Sequence, residues 1–306
     1  MNGISGLLGS ELRRFFSRRV MRGALAFGIA LSTLVLVIQI ARSEVATSTQ
    51  KSNNYVCGGP VGSAPGTPNG PTVGGIVPPG DCTLQTVTAR VRHDRRLDIG
   101  RRFSETVNGA GVAMVFVAFV IGASFVGAEF GAGSLSTQLI FEPRRKRLIA
   151  VKTVAVGIGL AVLAIAVLLY IGLLLFVGSE LRGVTRGLVG SWFAGRAGDV
   201  GRVTAAVAFA GISAFAITVV ARRTVAAVAG LLIVGWASAI IGSLHHWRWV
   251  AKYNPATAFF AMAANPTHGE GRDTLITAHG AAVSALAWGV GLTIVAAVIF
   301  DRREVR

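Results

Sequence analysis

Residues 153–179 read TVAVGIGLAVLAIAVLLYIGLLLFVGS, an uncharged run of 27 residues. A helix needs about 20 predominantly apolar residues to cross the hydrocarbon core of a bilayer. Backbone groups in lipid must be hydrogen-bonded within their own segment, so a run of this kind is expected to be helical. The stretch therefore predicts a membrane-spanning helix.

Five further uncharged apolar stretches occur along the 306-residue chain. The six predicted spans are 23–41, 106–128, 153–179, 203–221, 224–244 and 280–300. The chain is 52% hydrophobic and 14% charged, whereas soluble domains carry about 25% charged residues. The predicted fold class is an all-α integral membrane protein, a single transmembrane domain over 1–306 with six transmembrane helices and an N-terminal interfacial amphipathic helix.

The net charge of +16 is compatible with two kinds of binding partner, nucleic acid and anionic lipid. A strongly basic protein is typical of nucleic-acid binding, but here the basic residues flank the predicted spans, where anionic lipid headgroups attract them. We therefore expect membrane lipids and no nucleic acid as partners. Short connections at 129–152 and 222–223 are dense in positive charge, which predicts that they and both termini are cytoplasmic.

The segment 1–22 has the pattern of a short amphipathic helix. Its apolar residues recur at helical spacing and its arginines largely occupy the other side, as expected for a helix lying in the membrane interface. The alternative is a solvated basic tail. The residues expected at the membrane interface are Arg13, Arg14, Phe15, Phe16 and Arg18, together with Lys152, which is expected to snorkel to the headgroups from the start of the third span.

Outside the cytoplasm the sequence predicts a connection at 180–202 and two longer ones, the first at 42–105 and the second at 245–279. The first is rich in Gly and Pro and contains Cys57 and Cys82, which are expected to form a disulfide in an oxidising compartment, the alternative being two unpaired thiols. The second is rich in aromatic residues, which favour the membrane interface. Within it, 254–264 is predicted to be a short helix in, or dipping into, the outer leaflet.

The cytoplasmic segment 129–147 follows the second span directly. It begins with Glu129-Phe130-Gly-Ala-Gly133-Ser134 and ends with Pro143-Arg144-Arg145. Ser134 can cap a short helix through 141, and proline ends a helix because it lacks an N–H donor and restricts the residue before it. This segment is therefore predicted to be a short helix between two spans.

Motifs of autonomous chemistry are missing from the sequence. No Gly-Lys pair occurs, which excludes a P-loop, and there is no His-Glu-x-x-His zinc motif. The pair His245–His246 is interpreted as an interfacial pair in preference to a metal site, because no Cys lies near it in sequence. We expect no enzyme activity from this chain alone, no catalytic or metal-binding residue, and no cofactor bound by it.

The order of these segments resembles the permease subunit of ABC-2 type ABC transporters, in particular the six-span actinobacterial form. The resemblance covers nearly the whole chain and is most specific from Glu129 through Arg145 to Lys152. It implies that 7–20 is the connecting helix along the inner leaflet and that 130–141 is the coupling helix that docks on a separate ATPase. The residues expected to couple to that ATPase are Glu129, Phe130, Gly133, Ser134, Leu135, Leu139, Pro143, Arg144 and Arg145.

The resemblance also implies an assembly and a mechanism. Two ABC ATPase subunits, which bind ATP and Mg, would drive two permease copies, identical or homologous, in the cytoplasmic membrane. The substrate, apolar or amphipathic in character, would be exported between the permeases along the second and fifth spans. Helix 254–264 would match the outer re-entrant helices of this family. Glu129 is expected to pair with a base on the ATPase or on the connecting helix, and Glu129→Ala to uncouple transport while leaving the chain folded.

Two alternatives from other functional classes remain. A secondary transporter or channel would need inverted repeats or charged residues inside the spans, and neither is evident in the sequence. A structural or sensory membrane subunit would use 42–105 as its binding module. An adjacent gene for an ABC ATPase would favour the permease.

Overall fold

The structure is a computed structural model that describes residues 2–43, 97, 99–141, 144–182, 190–243, 248–264 and 276–302. Helices account for the regular structure of these residues, and no strand occurs among them. In chain order the helices are α1 (Asn2–Ser17), α2 (Arg19–Arg42), α3 (Ile99–Gly131), α4 (Ser134–Phe141), α5 (Arg145–Arg182), α6 (Gly190–Ala221), α7 (Thr224–Ser243), α8 (Arg248–Tyr253), α9 (Pro255–Ala264) and α10 (Ala278–Arg302).

Five of the described helices are long and apolar enough to cross a membrane, so the protein is an all-α, membrane-embedded protein. These helices are α2, α3, α5, α6 and α10, with apolar spans at Arg19–Ala41, Arg102–Gly131, Arg145–Leu181, Trp192–Ala221 and His279–Arg302. The remaining predicted span forms α7, whose strongly apolar part is the shorter segment Val228–Ala237. Six crossings therefore remain a prediction.

The helix boundaries correct two parts of the sequence interpretation. The predicted loop 180–202 is largely helical, because α5 continues to Arg182 and α6 begins at Gly190. The predicted loop 42–105 ends earlier than expected, because α3 begins at Ile99. The charged residues Arg196, Asp199 and Arg202 lie within α6, where they are paired with one another.

Some predictions fall outside the described residues. They are the disulfide between Cys57 and Cys82, most of the 42–105 connection, Pro143, and the pair His245–His246. Leu139 and Phe141 belong to α4, but the structure does not describe their side chains.

The chain divides into two compact units. One unit comprises Ser32–Phe103 and Gly172–Trp192. Within it the Phe103 and Trp192 rings meet edge to face with centroids 5.5 Å apart, and the Trp192 indole N–H donates to the Gly100 carbonyl at 3.5 Å. The other unit comprises Met1–Leu31, Ser104–Ile171 and Phe193–Arg306, and it contains the sites described next.

Helices α3 and α6 form a close parallel pair in this larger unit. At Gly122 the backbones meet, since an added Cβ would lie 2.2 Å from the Gly211 carbonyl oxygen. Toward the C-terminal end of α3, a Cβ on Gly127 would lie 3.4 Å from the Thr218 Cγ2 of α6. Small residues allow helices in lipid to approach this closely and gain dispersion contacts. Because α3 and α6 run in the same direction, α5, which lies between them in sequence, must run in the opposite direction.

Helix α5 packs against this pair in the return direction. Its Leu160 reaches the space in front of Gly211, and its Gly157 faces the Ile212 side chain. At the beginning of α5, Lys146 pairs with Asp301 at 3.2 Å, so the described end of α10 lies beside the start of α5. The first helix contacts the same end, which places both described chain ends of this unit together.

Candidate functional site

A buried lysine joins three helices at this shared end. The Lys152 Nζ in α5 lies 2.9 Å from the Glu11 Oε2 in α1 and 2.9 Å from the Glu129 Oε2 in α3. The lysine is 0% exposed, and the two glutamates are 2% and 4% exposed. A buried ammonium is costly unless paired, so each carboxylate offsets part of its desolvation.

Arg18, at the bend between α1 and α2, completes the charge balance. Its guanidinium donates to the Glu129 Oε1 at 2.9 Å and to the carbonyl oxygen of Phe125 at 2.7 Å. Arg14 approaches the other carboxylate, with its Nη1 3.3 Å from the Glu11 Oε1. We call Glu11, Arg18, Glu129 and Lys152 the charge cluster. Its two acids and two bases cancel, so the cluster is neutral without Arg14.

Aromatic packing surrounds the charge cluster. The Phe15 and Phe125 rings lie 5.4 Å apart, and the Arg18 guanidinium stands 4.3 Å above the Phe125 ring in a cation–π contact. Phe15 lies against α5 at Gly159, where an added Cβ would be 2.3 Å from the Phe15 Cε1. The absence of a side chain at Gly159 is what lets α1 dock this close to α5.

The geometry corrects the expected role of two residues. Lys152 was expected to reach lipid headgroups, but protein carboxylates surround its ammonium group. Phe15 was expected at the membrane interface, but it is buried against Phe125. The reason is that the apolar stripe of α1 docks on α3 and α5, so the helix uses that stripe for the protein. Phe16 and the side chain of Arg13 are exposed, as an interfacial position requires.

Glu129 pairs with Arg18 of the 1–22 segment, which is one of the two partners considered from the sequence. Its burial changes the expectation for Glu129→Ala. Removing one member of a buried charge network leaves the others uncompensated. That variant therefore loses stability as well as any coupling contact, and it does not isolate the coupling role.

Helix α4 projects between the two helices that the charge cluster ties together. Gly133 precedes it with φ +66°, a left-handed conformation that costs a glycine little and that turns the chain after α3. Leu135 is buried and anchors the helix, whereas Ile140 is 78% exposed. Phe130 and Ser134 are half-buried, and the Arg144 side chain is exposed while that of Arg145 is half-buried. The sequence reasoning did not single out Ile140.

A second polar cluster lies toward the opposite end of the α3–α6 pair. Arg202 of α6 donates to the carbonyl oxygens of Met262 and Ala263, the latter at 3.1 Å. Its other terminal nitrogen donates to the Asn108 Oδ1 at 2.7 Å and pairs with Asp199 at 3.3 Å. The sequence reasoning missed this cluster because it began the span at 203. Arg and Asp spaced i, i+3 just before an apolar run were the available signal.

Asp199 has further partners besides Arg202. The Ser104 hydroxyl donates to its Oδ2 at 2.6 Å, and Arg196 donates to the same oxygen at 3.0 Å. The carboxylate is therefore shared between two guanidinium groups and a hydroxyl. This sharing keeps Asp199 compensated even when one of its partners changes position.

Helices α8 and α9 follow one another over residues 248–264, with only Asn254 between them. The helix predicted at 254–264 is confirmed as α9. Asn254 caps it, since its Oδ1 accepts from the Ala256 N–H at 2.8 Å. The Tyr253 carbonyl accepts from the Trp288 indole N–H at 2.7 Å and from the Ser284 hydroxyl at 3.3 Å, so α10 holds the turn.

Neither cluster has the composition of a metal site. Among the described residues, no group of three or more His, Cys, Asp or Glu side chains is placed to hold a metal ion. Both clusters instead pair carboxylates with arginine or lysine. Their chemistry fixes helices to one another.

Comparison with known proteins does not assign the chain to a family. No protein-family description matches it, and no curated protein matches it. The functional conclusion therefore depends on the residues and their geometry.

Proposed function

We propose that this chain is the membrane-spanning permease subunit of an ABC-2 type exporter, driven by ATP and Mg bound to separate ATPase subunits. The observation that carries the proposal is the ion pair that joins α3 and α5, the two helices on either side of α4 in the chain. The helix lies between α3 and α5, and Glu129 and Lys152 bind these helices to each other beside it. A displacement of α4 therefore acts on α3 and α5 as a joined pair.

The surface of α4 supports a docking role. Ile140 is a large apolar side chain that is 78% exposed in a segment outside the apolar spans. In the proposed assembly Ile140 enters the contact with the ATPase, where a few well-packed side chains carry most of the binding energy. Leu135 is buried in the protein core on the opposite side of α4. A movement of the ATPase that displaces Ile140 would therefore also displace the helices that pack around Leu135.

The docking of α1 supports the same proposal. The charge cluster fastens α1 to α3 and α5, and exposed arginines on α1 suit an anionic lipid surface. In the proposed assembly, α1 is the connecting helix and holds the bundle at the inner leaflet. The two termini are cytoplasmic, and two permease copies form the path for an apolar or amphipathic substrate.

The direct test is co-purification with the ABC ATPase encoded nearest to this gene. We expect the wild-type chain, extracted from membranes in mild detergent, to retain the ATPase. Ile140→Asp should reduce the amount retained at least tenfold, because a charge replaces the apolar contact. Leu181→Asp is the matched control, since Leu181 is 71% exposed at the other end of α5.

Two results would contradict the proposal. One is the absence of any ABC ATPase from the purified complex. The other is equal retention by the wild-type chain and Ile140→Asp when both are folded, which would show that α4 is not the docking surface. In either case a structural or sensory membrane subunit becomes the better interpretation.

A further inference from the structure

The C-terminal end of α9 is satisfied by a side chain from another helix. The last carbonyl groups of a helix have no partner within it and need donors from elsewhere. Arg202 provides them by donating to the carbonyl oxygens of Met262 and Ala263. A cation near a helix C-terminus also interacts favourably with the helix dipole. One guanidinium thus holds the end of α9.

The same guanidinium fixes the position of that helix end. Its second terminal nitrogen is bonded to Asn108 of α3 and paired with Asp199 of α6. A guanidinium is planar and rigid, so four partners held at once define one geometry. Phe116 and Phe260 also pack between α3 and α9, at 4.6 Å, but an apolar contact is less directional.

The other end of α9 is anchored independently of Arg202. The Asn254 side-chain amide donates to the Val234 carbonyl of α7 at 3.5 Å, and Trp288 of α10 donates to Tyr253. Trp288 lies ten residues into α10, so the junction between α8 and α9 lies about 15 Å along that helix from its start. Helix α9 therefore has a fixed base at Asn254 and a tip whose backbone carbonyls are held by Arg202, while the buried side chains of Phe259 and Met262 pack it against its neighbours.

We propose that Arg202 is a latch for the tip of α9, and that breaking its two carbonyl bonds lets α9 swing about Asn254. Asp199 remains compensated after release, because Arg202, Arg196 and Ser104 all stay on α6 and α3. The groups that lose their partners are the two carbonyls of α9. Release therefore leaves no buried charge unpaired. The latch does not depend on the proposed ATPase.

Hydrogen exchange of the full-length chain in detergent tests the latch. In Arg202→Met we expect the backbone amides of 258–264 to exchange at least tenfold faster than in the wild type, while those of α5 keep their rates. Arg196→Met is the matched control, because it removes another base from Asp199 on the same helix. In that variant the amides of 258–264 should keep wild-type rates.

Unchanged exchange of 258–264 in Arg202→Met would overturn the latch. So would an equal rise in every helix, which would show general loss of stability. If Arg202→Met does not fold, Arg202→Lys replaces it. Lysine keeps the charge beside Asp199 but is a point charge that cannot hold the same four partners, so faster exchange of 258–264 is again expected and unchanged exchange again overturns the proposal.

A reversible cross-link provides a second measurement. A Cβ at Gly111 would lie 3.4 Å from the Ala263 Cβ, near the 3.5–4.5 Å (roughly) that disulfides prefer. We would introduce Gly111→Cys and Ala263→Cys with Cys57 and Cys82 changed to Ser. Val203→Ala is needed as well, because the Val203 methyl groups lie within 3.0 Å of that Cβ.

In the Arg202→Met background, the oxidised cross-link should return the exchange of 258–264 to the wild-type rate. Reduction should restore the fast rate. Exchange that stays fast when the disulfide is formed would overturn the proposal, because it would show that the tip of α9 is not what opens.

Discussion

Lys152 shows how a basic residue at the start of an apolar run can be a structural centre. Its ammonium group is fully buried, and its two carboxylate partners come from α1 and α3. A buried ion pair adds little net stability compared with apolar packing, but breaking one by removing a single partner is strongly destabilising. The residue therefore contributes mainly by fixing which helices meet.

The first prediction concerns that lysine. Lys152→Met should lower the free energy of unfolding by about 3–5 kcal/mol, because Glu11 loses its buried partner. Thermal unfolding in detergent measures this effect. Lys146→Met is the control: Lys146 pairs with Asp301 at the surface, and exposed pairs contribute about 0–1 kcal/mol.

A double variant separates charge from packing. Glu11→Gln combined with Lys152→Met should be more stable than Lys152→Met alone, since Glu129 keeps Arg18 and the buried Glu11 carboxylate, left with only the half-exposed Arg14, is removed. Equal or lower stability of the double variant would show that the charge cluster does not act through the Glu11–Lys152 pair.

At the scale of elements, α1 is held by a contact that depends on one glycine. Gly159→Ala would place a Cβ 2.3 Å from the Phe15 ring, and a ring packed against Phe125 has little room to move. We expect α1 to detach partly, which should increase the rate of trypsin cleavage after Arg13 and Arg14 at least severalfold. Gly9→Ala in α1 itself meets nothing within 4 Å and should leave that rate unchanged.

The close contact of α3 and α6 requires a glycine at position 122. Gly122→Ala would bring a Cβ within 2.2 Å of the Gly211 carbonyl oxygen, and backbone cannot rotate away as a side chain does. Overpacking of this kind costs about 1–3 kcal/mol, so the thermal midpoint should fall. Gly109→Ala, in the same helix with open space around it, should not lower the midpoint. Equal effects of both changes would contradict the close backbone contact.

At the scale of the whole molecule, the test is which side of the membrane each end of α5 faces. The helix has 38 residues, about 57 Å of α-helix, which exceeds the hydrocarbon thickness of about 30 Å. With Cys57 and Cys82 changed to Ser, a membrane-impermeant thiol reagent on intact cells should label Leu181→Cys and not Ile140→Cys. Permeabilised cells should show labelling of both. Labelling of Ile140→Cys in intact cells would contradict a cytoplasmic α4.

The sequence was informative where a local pattern carries the information. Uncharged runs predicted the long apolar helices, and the short helix predicted at 254–264 is found as α9. The charged residues at the start of α6 were misassigned, because a charge seen in sequence is read as exposed. Asp199 and Arg202 also bond across to α3, Asp199 with Ser104 and Arg202 with Asn108, which lie 95 and 94 positions away in sequence.

The sequence by itself determined that this chain is embedded in a membrane as helices, because backbone hydrogen bonding in lipid depends on local apolar length. The tertiary structure decided which charges are buried and which helices they join. Glu11 and Lys152 are 141 positions apart, and neither residue's neighbours indicate the other. Their pairing exists because Gly159 lets α1 approach α5 and the α3–α6 contact places Glu129 beside them, so the packing of small residues selects the partners.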